Sequence, residues 1–571
     1  MGSELELNAE SKPDRTITPV RIWWACWAGV WTVPIVLGIA YLIAHRNMPI
    51  LRVRGLGLSL SAIVLLHMYW IFVQLHSTFY AVEPQACGYW IMGTWLPCGI
   101  ALFHASNSRF LHVAKLQKRY AQPGNCLIDF RPPLRSKHDL VGRFRRLSYT
   151  AKVLIIVGIS MLIQVFLTAL MYIISRKWHS SWGIPGTEVH GTALEQKIER
   201  GRGWEWWPSV FWQFFWSWII APMVLWKSRN IHDTQGWRIQ TIGCALANLP
   251  AIPMWHIALY VPAMAPVNEY WLPGQWICLS IYFMEIFTIF LPCWEVMRHQ
   301  SLHRVTLDGI ALQGSKTTIN SRTKSFTSAS TMVKGMIFGL KSRKGSVTTK
   351  ASFDESILAM SALEFFLEDN PAPLQEFAAL REFSGENIAF LTTVTEWKRS
   401  LPSAARDSTA PSDNNVKELT REHFNRALHI YADFVSLRHA EFPINITFKD
   451  LKKLERIFDS PTRILYGDNC KVDTIAPFET PGFSFRPFST SAPSEDSEKT
   501  IRSSFSDDIK NEAEYSGKIP EEFDATVFDD SVQSIKFLVL TNTWPKFIRT
   551  FRTSTNYSNS LEAGMWNEHG P

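Results

Sequence analysis

The stretch "REFSGENIAFL", Arg381 to Leu391, lies in the charged rear half of a 571-residue chain and decides how that half folds. Phe383 and Ile388 flank a Ser-Gly-Glu-Asn cluster at the spacing of a hydrophobic staple. The pattern predicts Ser384 as a helix N-cap, with Gly385, Glu386 and Asn387 in the first turn. Ile388, Leu391, Val394 and Thr395 then face inward, and Glu396 and Lys398 outward. On this reading Glu386 and Asn387 are exposed, rigidly presented at the start of a helix.

The same punctuation continues on both sides. Upstream, "FDESILAMSALEFFLED" spaces its apolar residues at three and four and stops before Asn370-Pro371, and "PLQEFAALREF" supplies another short helix. Downstream, helical segments are predicted at about 417–437, 447–458 and 528–551. Between the last two lies "CKVDTIAPFETPGFSFRPFSTSAPSEDSEKT", rich in Ser and Pro and poor in aliphatic residues, which predicts a disordered insertion at about 468–522. The rear half therefore reads as a helical bundle.

The front half has another chemistry. Most of the 24 tryptophans and all the long apolar runs fall between about 20 and 298. Seven segments approach the ~20 residues needed to span a bilayer, at about 22–44, 55–77, 86–108, 150–174, 204–226, 239–262 and 275–297. Trp23, Trp24, Trp27, Trp204, Trp206, Trp207 and Trp226 suit the interfacial belt. Basic residues alternate between connections. The first loop has Arg46, Arg52 and Arg54, the third is strongly basic from Arg109 to Arg146, and the fifth has Lys227, Arg229 and Arg238. The second and sixth loops have neither Lys nor Arg, which places the N-terminus (1–21) outside and the tail in the cytoplasm. Soluble core helices would not give this length and alternation. The first 20 residues lack a basic n-region, so the first segment serves as the membrane signal and no cleaved leader is expected.

The net charge of +7 is not gathered on one folded basic face, which argues against nucleic acid as a partner. The eight cysteines show neither CxxC nor zinc spacing, so no metal, cofactor or disulfide framework is expected. Ionisable groups inside a membrane are costly and usually face an interior. His67, His256 and Glu285 fall near the middles of the second, sixth and seventh segments; they are candidates for an intramembrane site for an unknown small ligand, or for packing contacts alone. A basic, Ser/Thr-rich linker at about 299–350 suits anionic lipid at the cytoplasmic surface. Its "RKGS" makes Ser346 a candidate phosphosite.

With these pieces placed, "EFAALREFSGENIAFLTTVTEWK" resembles the central signature of the RGS domain, the regulators of G-protein signalling. Three further blocks match in order: "HIYADFVS" (His429–Ser436), "FPINIT" (Phe442–Thr447) and "FDDSVQSIKFLVLTNTWPKFIRTF" (Phe528–Phe551). The match covers about 351–555 and leaves a C-terminal tail at 556–571. With seven spans (22–298) in front, the chain resembles the seven-transmembrane RGS proteins of fungi and plants.

The resemblance implies an all-α protein: a seven-transmembrane bundle, then a cytoplasmic RGS bundle. It implies a plasma-membrane protein that is not itself an enzyme but binds the GTP-loaded Gα subunit and accelerates its GTP hydrolysis, ending the signal. RGS domains do this by holding the Gα switch segments in place, without an arginine finger. The contacts it carries over are Glu382, Ser384, Glu386 and Asn387, then Asn445, then Leu538, Asn542 and Lys546. Gly385 stands where an acidic residue is common, Asn542 where Asp is common and Lys546 where Arg is common. Two alternatives stay open: a receptor that activates Gα with the RGS domain as a built-in brake, and a scaffold without catalytic effect on Gα.

Overall fold

The computed structural model describes residues 19–79, 86–122, 144, 147, 149–179, 182–319, 360–400, 414–466 and 514–551. Among them the secondary structure is helical, with no strand beyond one isolated bridge between Ser175 and Ile184. Ser346 and the C-terminal tail at 556–571 lie outside the described residues.

The front half is built from α1 (Pro19–Ala44), α2 (Leu56–Phe79), α3 (87–117), α4 (Tyr149–Ile174), α5 (Trp204–Ser228), α6 (Trp237–Tyr260) and α7, which starts at Pro273 and runs to Ile319. Six of these helices, all but α3, are long and apolar enough to cross a membrane. Their outward faces are hydrophobic to a degree that water would not tolerate: Leu162 is 72% exposed, Phe166 64% and Phe211 65%. The chain is therefore a multi-pass membrane protein. Helix α3 is as long as a span but carries His104, Ser106, Asn107 and Arg109, all buried. It packs among α2, α4 and α5, so protein rather than lipid surrounds these groups. It also runs nine residues past the expected end at 108, to Gln117, and the residues assigned to the start of a basic loop are its last turns.

Two further expectations are corrected. Helix α7 continues to Ile319, so the first part of the predicted linker at 299–350 is helical. Residues 514–522, assigned to a disordered insertion, are packed: the Tyr515 N–H donates to Asn425 Oδ1 at 3.1 Å, and Ile519 lies against the hydrophobic core. Tyr515 and Ile519 supply the side chains that anchor this end of the insertion to the core.

Among the described residues, five stretches widen to π-helix: Ile91–Trp95, Phe215–Ile220, Ile286–Phe290, Tyr431–Val435 and Val539–Thr543. Four of them run directly into an X-Pro pair, at Pro97, Pro222, Pro292 and Pro545. Proline lacks the N–H and crowds the carbonyl four residues back, and that carbonyl (Gly93, Trp218, Thr288, Thr541) falls inside the π stretch each time. Widening the turn relieves the clash without breaking the helix.

The rear half comprises α8 (Met360–Asp369), α9 (Ala372–Arg381), α10 (Gly385–Arg399), α11 (Asn414–Ile430, extended by Tyr431–Val435), α12 (Phe448–Tyr466) and α13 (Asp529–Leu538, extended by Val539–Thr543 and 544–551). Aromatic side chains fill its centre. Phe390, Phe458 and Trp397 surround Phe528, and Phe366, Phe377 and Trp544 surround Phe547. This core is continuous with the front half: Phe110 and Val113 of α3, Tyr120 just after it, and Trp237 of α6 belong to the same hydrophobic cluster.

Candidate functional site

The turn between α9 and α10 is where the opening stretch falls. Its backbone closes through Ser384 N–H to the Ala378 carbonyl at 2.9 Å, and Phe383 adopts a left-handed conformation with φ +50°. A bulky residue in that region costs about 1–3 kcal/mol and persists only when its surroundings over-determine it. Those surroundings are the rings of Phe110 and Trp237, edge-on to Phe383 at 6.0 and 6.2 Å. Ser384 does occupy the N-cap position, but its hydroxyl makes no capping hydrogen bond; only its carbonyl is used, by the Asn387 N–H. Phe383 and Ile388 are both in the core, as a staple requires.

The exposure expected of Glu386 and Asn387 is overturned. They are 9% and 7% exposed, covered by the ends of the membrane helices. Gln117, fully buried at the last turn of α3, uses both ends of its amide: Oε1 accepts from the Gly385 N–H at 3.0 Å and Nε2 donates to Glu386 Oε2 at 2.8 Å. From the connection before α6, Gln235 Nε2 donates to the Glu382 carbonyl at 2.6 Å and the Thr234 N–H to the Arg381 carbonyl at 3.1 Å. In the opposite direction, Gln375 Nε2 donates to the Tyr120 carbonyl at 2.8 Å. A methyl group added at Gly385 would lie 2.8 Å from Tyr120 Cβ and 2.7 Å from Ala379 Cβ, so the turn sits as close as glycine allows.

The later blocks reach the same face. Lys546 Nζ donates to Glu382 Oε2 at 2.5 Å, while α7 packs on Val539–Thr543 with His299 beside Asn542. Leu538 is half-buried against the core. Tyr120 meets Phe442 edge-on at 6.2 Å, and Arg119 pairs with Glu441 at 3.2 Å. Asn445, three residues beyond Phe442, is exposed. Among the described residues, Glu382 Oε1, Ser384 Oγ, Asn387 Oδ1, Gln235 Oε1 and Thr234 Oγ1 are buried with no hydrogen-bond partner in the protein.

Electrostatics follow from this burial. Loss of solvent pushes the Glu386 carboxyl up to about 7, opposed by the Gln117 hydrogen bond and by Arg52. Glu382 is likewise raised by burial, against the pull of Lys546. Arg54, buried beneath the connection before α6, is lowered by desolvation to about 10; its guanidinium donates to Gln240 Oε1 at 3.0 Å and to the Gln235 carbonyl. Sequence reasoning missed Gln117, Tyr120, Gln235, Phe110 and Trp237. The available signal was a pair of glutamines at the ends of apolar helices, pointing at no charged group nearby in sequence.

Of the intramembrane candidates, two meet and one does not. His67 Nδ1 lies 2.8 Å from Glu285 Oε1, Trp31 Nε1 donates to Glu285 Oε2 at 2.6 Å, and His67 Nε2 lies 3.1 Å from Thr32 Oγ1. The Thr32 hydroxyl is committed to the Ala28 carbonyl at 2.6 Å, so Nε2 donates to it. This buried chain ties α1, α2 and α7 together. His256 is elsewhere, hydrogen-bonded to the Ile252 carbonyl at 3.1 Å beside a shallow apolar groove lined by Trp207, Phe211, Phe214 and Pro253. The three residues therefore do not form one site.

No family model, no curated protein and no solved structure matches the chain.

Proposed function

We propose that this protein is a membrane-anchored regulator of heterotrimeric G-protein signalling. Its rear helical bundle, an RGS domain, binds GTP-loaded Gα and accelerates GTP hydrolysis, while the front half anchors it at the plasma membrane. Helix α3 is then the seventh span, packed among α2, α4 and α5, with the N-terminus outside and the rear bundle in the cytoplasm. The alternating basic connections support that orientation.

One observation supports the reading most. Three segments separated by long stretches of chain, at 382–387, 442–445 and 538–546, carry the residues named from the resemblance. They gather at one end of the bundle, joined by the Lys546–Glu382 pair and by Tyr120, which touches both the first and the second. The chemistry suits the task. Asn387 and Asn445 both donate and accept, and can orient a partner's glutamine and backbone without supplying a new charge.

The test is single-turnover GTP hydrolysis by Gα with the full-length chain in nanodiscs, in excess over Gα. Acceleration is expected, and Asn445→Ala should reduce it by ~1–3 kcal/mol, roughly 5- to 150-fold, without touching stability, since the side chain is exposed. Asn387→Ala should reduce the acceleration by a similar factor. No acceleration, even with the rear bundle released as described below, would leave only a scaffold.

A further inference from the structure

The 382–387 part of the face just described cannot meet a second protein in this structure, because the same chain already covers it. We infer that the membrane half and Gα compete for one surface, so that this structure is a self-inhibited form whose rear bundle must undock before it can act. The inference rests on the proposed function for the identity of the competitor; the docking itself rests on geometry alone.

Four observations carry it. The contact is specific, with Gln117 matched to both Gly385 and Glu386, and Gln235 with Thr234 matched to the carbonyls of Glu382 and Arg381. It is two-sided and apolar at its centre, where Phe383 enters between Phe110 and Trp237. Close approach at Gly385 leaves no room for another chain between the turn and Tyr120. The contact is also incompletely satisfied. Glu382 Oε1, Ser384 Oγ and Asn387 Oδ1 belong to the proposed Gα-contacting residues, and each is buried without a protein partner. A buried polar group left unpaired is destabilising, and one that finds a partner in another complex favours that complex. A permanent interface would be expected to satisfy these groups; an interface meant to yield would leave them for a competitor.

The docked face also makes sense of a departure from the RGS pattern. An acidic side chain at position 385 would collide with Tyr120 and Ala379, and its charge would lie beside the Glu382 and Glu386 carboxyls. Glycine there costs one contact to a partner and permits the dock.

Two full-length forms in nanodiscs test the inference, on a background with the native cysteines replaced. In the open form, Gln117→Glu and Gln235→Glu place carboxylates against Glu386 and Glu382, with the proposed Gα-contacting residues untouched. In the locked form, Arg119→Cys and Glu441→Cys, at an exposed pair bridged at 3.2 Å in the native chain, are joined by a short bis-maleimide. The open form should accelerate single-turnover GTP hydrolysis about tenfold more than the parent, as expected if about nine chains in ten are docked. The locked form should fall to the rate of Gα alone, and single-cysteine controls carrying the reagent should not. Equal acceleration by locked and open forms would overturn the inference and leave the proposed function standing. No acceleration by the open form, with the cross-link forming in the Arg119→Cys, Glu441→Cys chain, would instead remove the proposed function.

Discussion

The buried Glu386 carboxyl makes the contact between the two halves dependent on pH, with a sign fixed by its environment. In the docked chain it titrates at about 7, against 4.5 for the free side chain, because burial penalises the carboxylate. A group whose docked value is raised favours docking fully below the lower value, and that contribution is lost as pH rises through the higher one. Between pH 6 and 8 the change is about 1.3 kcal/mol, or roughly a tenfold fall in the ratio of docked to open chains. This is a ceiling, since it assigns the whole shift to docking. The groups facing Glu386 are the Gln117 amide and Arg52, and the nearby Glu382, also raised by burial, works in the same direction. The measurement is a pulsed electron–electron distance between nitroxides at Arg119→Cys and Glu441→Cys in nanodiscs. A single short distance at pH 6 should give way to a growing long-distance fraction toward pH 8, and Glu386→Gln should flatten that dependence. A long-distance fraction indifferent to pH, or one with the same slope in Glu386→Gln, would refute the linkage.

Other perturbations follow from buried pairs. Lys546→Met strands the Glu382 carboxyl, which is 4% exposed, and should destabilise the rear bundle by about 3 kcal/mol at neutral pH; adding Glu382→Leu should restore most of the loss in a thermal melt. A loss that Glu382→Leu did not rescue would mean that Lys546 acts through packing alone. In the membrane half, Glu285→Leu leaves His67 Nδ1 and Trp31 Nε1 without their hydrogen-bond partner and should lower stability in detergent by about 2 kcal/mol, with Glu285→Gln costing less. An unchanged melting temperature in Glu285→Leu would show that this chain of hydrogen bonds does not hold α1, α2 and α7 together.

The sequence made some of this legible through local periodicity. Helices expected at about 417–437 and 528–551 are observed from Asn414 to Val435 and from Asp529 to residue 551, and the helix after Ser384 starts where the staple places it. Two errors have one origin. Ser384 was read as a side-chain cap and Glu386 as exposed because a local pattern describes a helix end in water. Here the end is buried, and Gln117, 268 residues earlier than Gly385, takes up the orphan N–H that a capping side chain would have met. Helix α3 was misjudged in extent for a related reason: a helix enclosed by other helices is free to carry Arg109 and Gln117 inside, so apolar character does not mark its end. Contacts between residues so far apart leave no periodic trace. The π stretches were also hidden, although each proline that causes one was in view.

The Gln117–Glu386 contact has a consequence for how a cell could regulate such a protein. Both halves of the contact are encoded in one chain, so the inhibitor is present at a ratio of one to one with what it inhibits, at every level of expression. Raising the number of copies raises both together, and neither dilution nor abundance releases the bundle. A competing protein therefore meets an apparent affinity reduced by the docked fraction, a handicap of about tenfold at nine docked chains in ten. Only something that acts on the contact itself, or a competitor strong enough to bear the handicap, changes the set point.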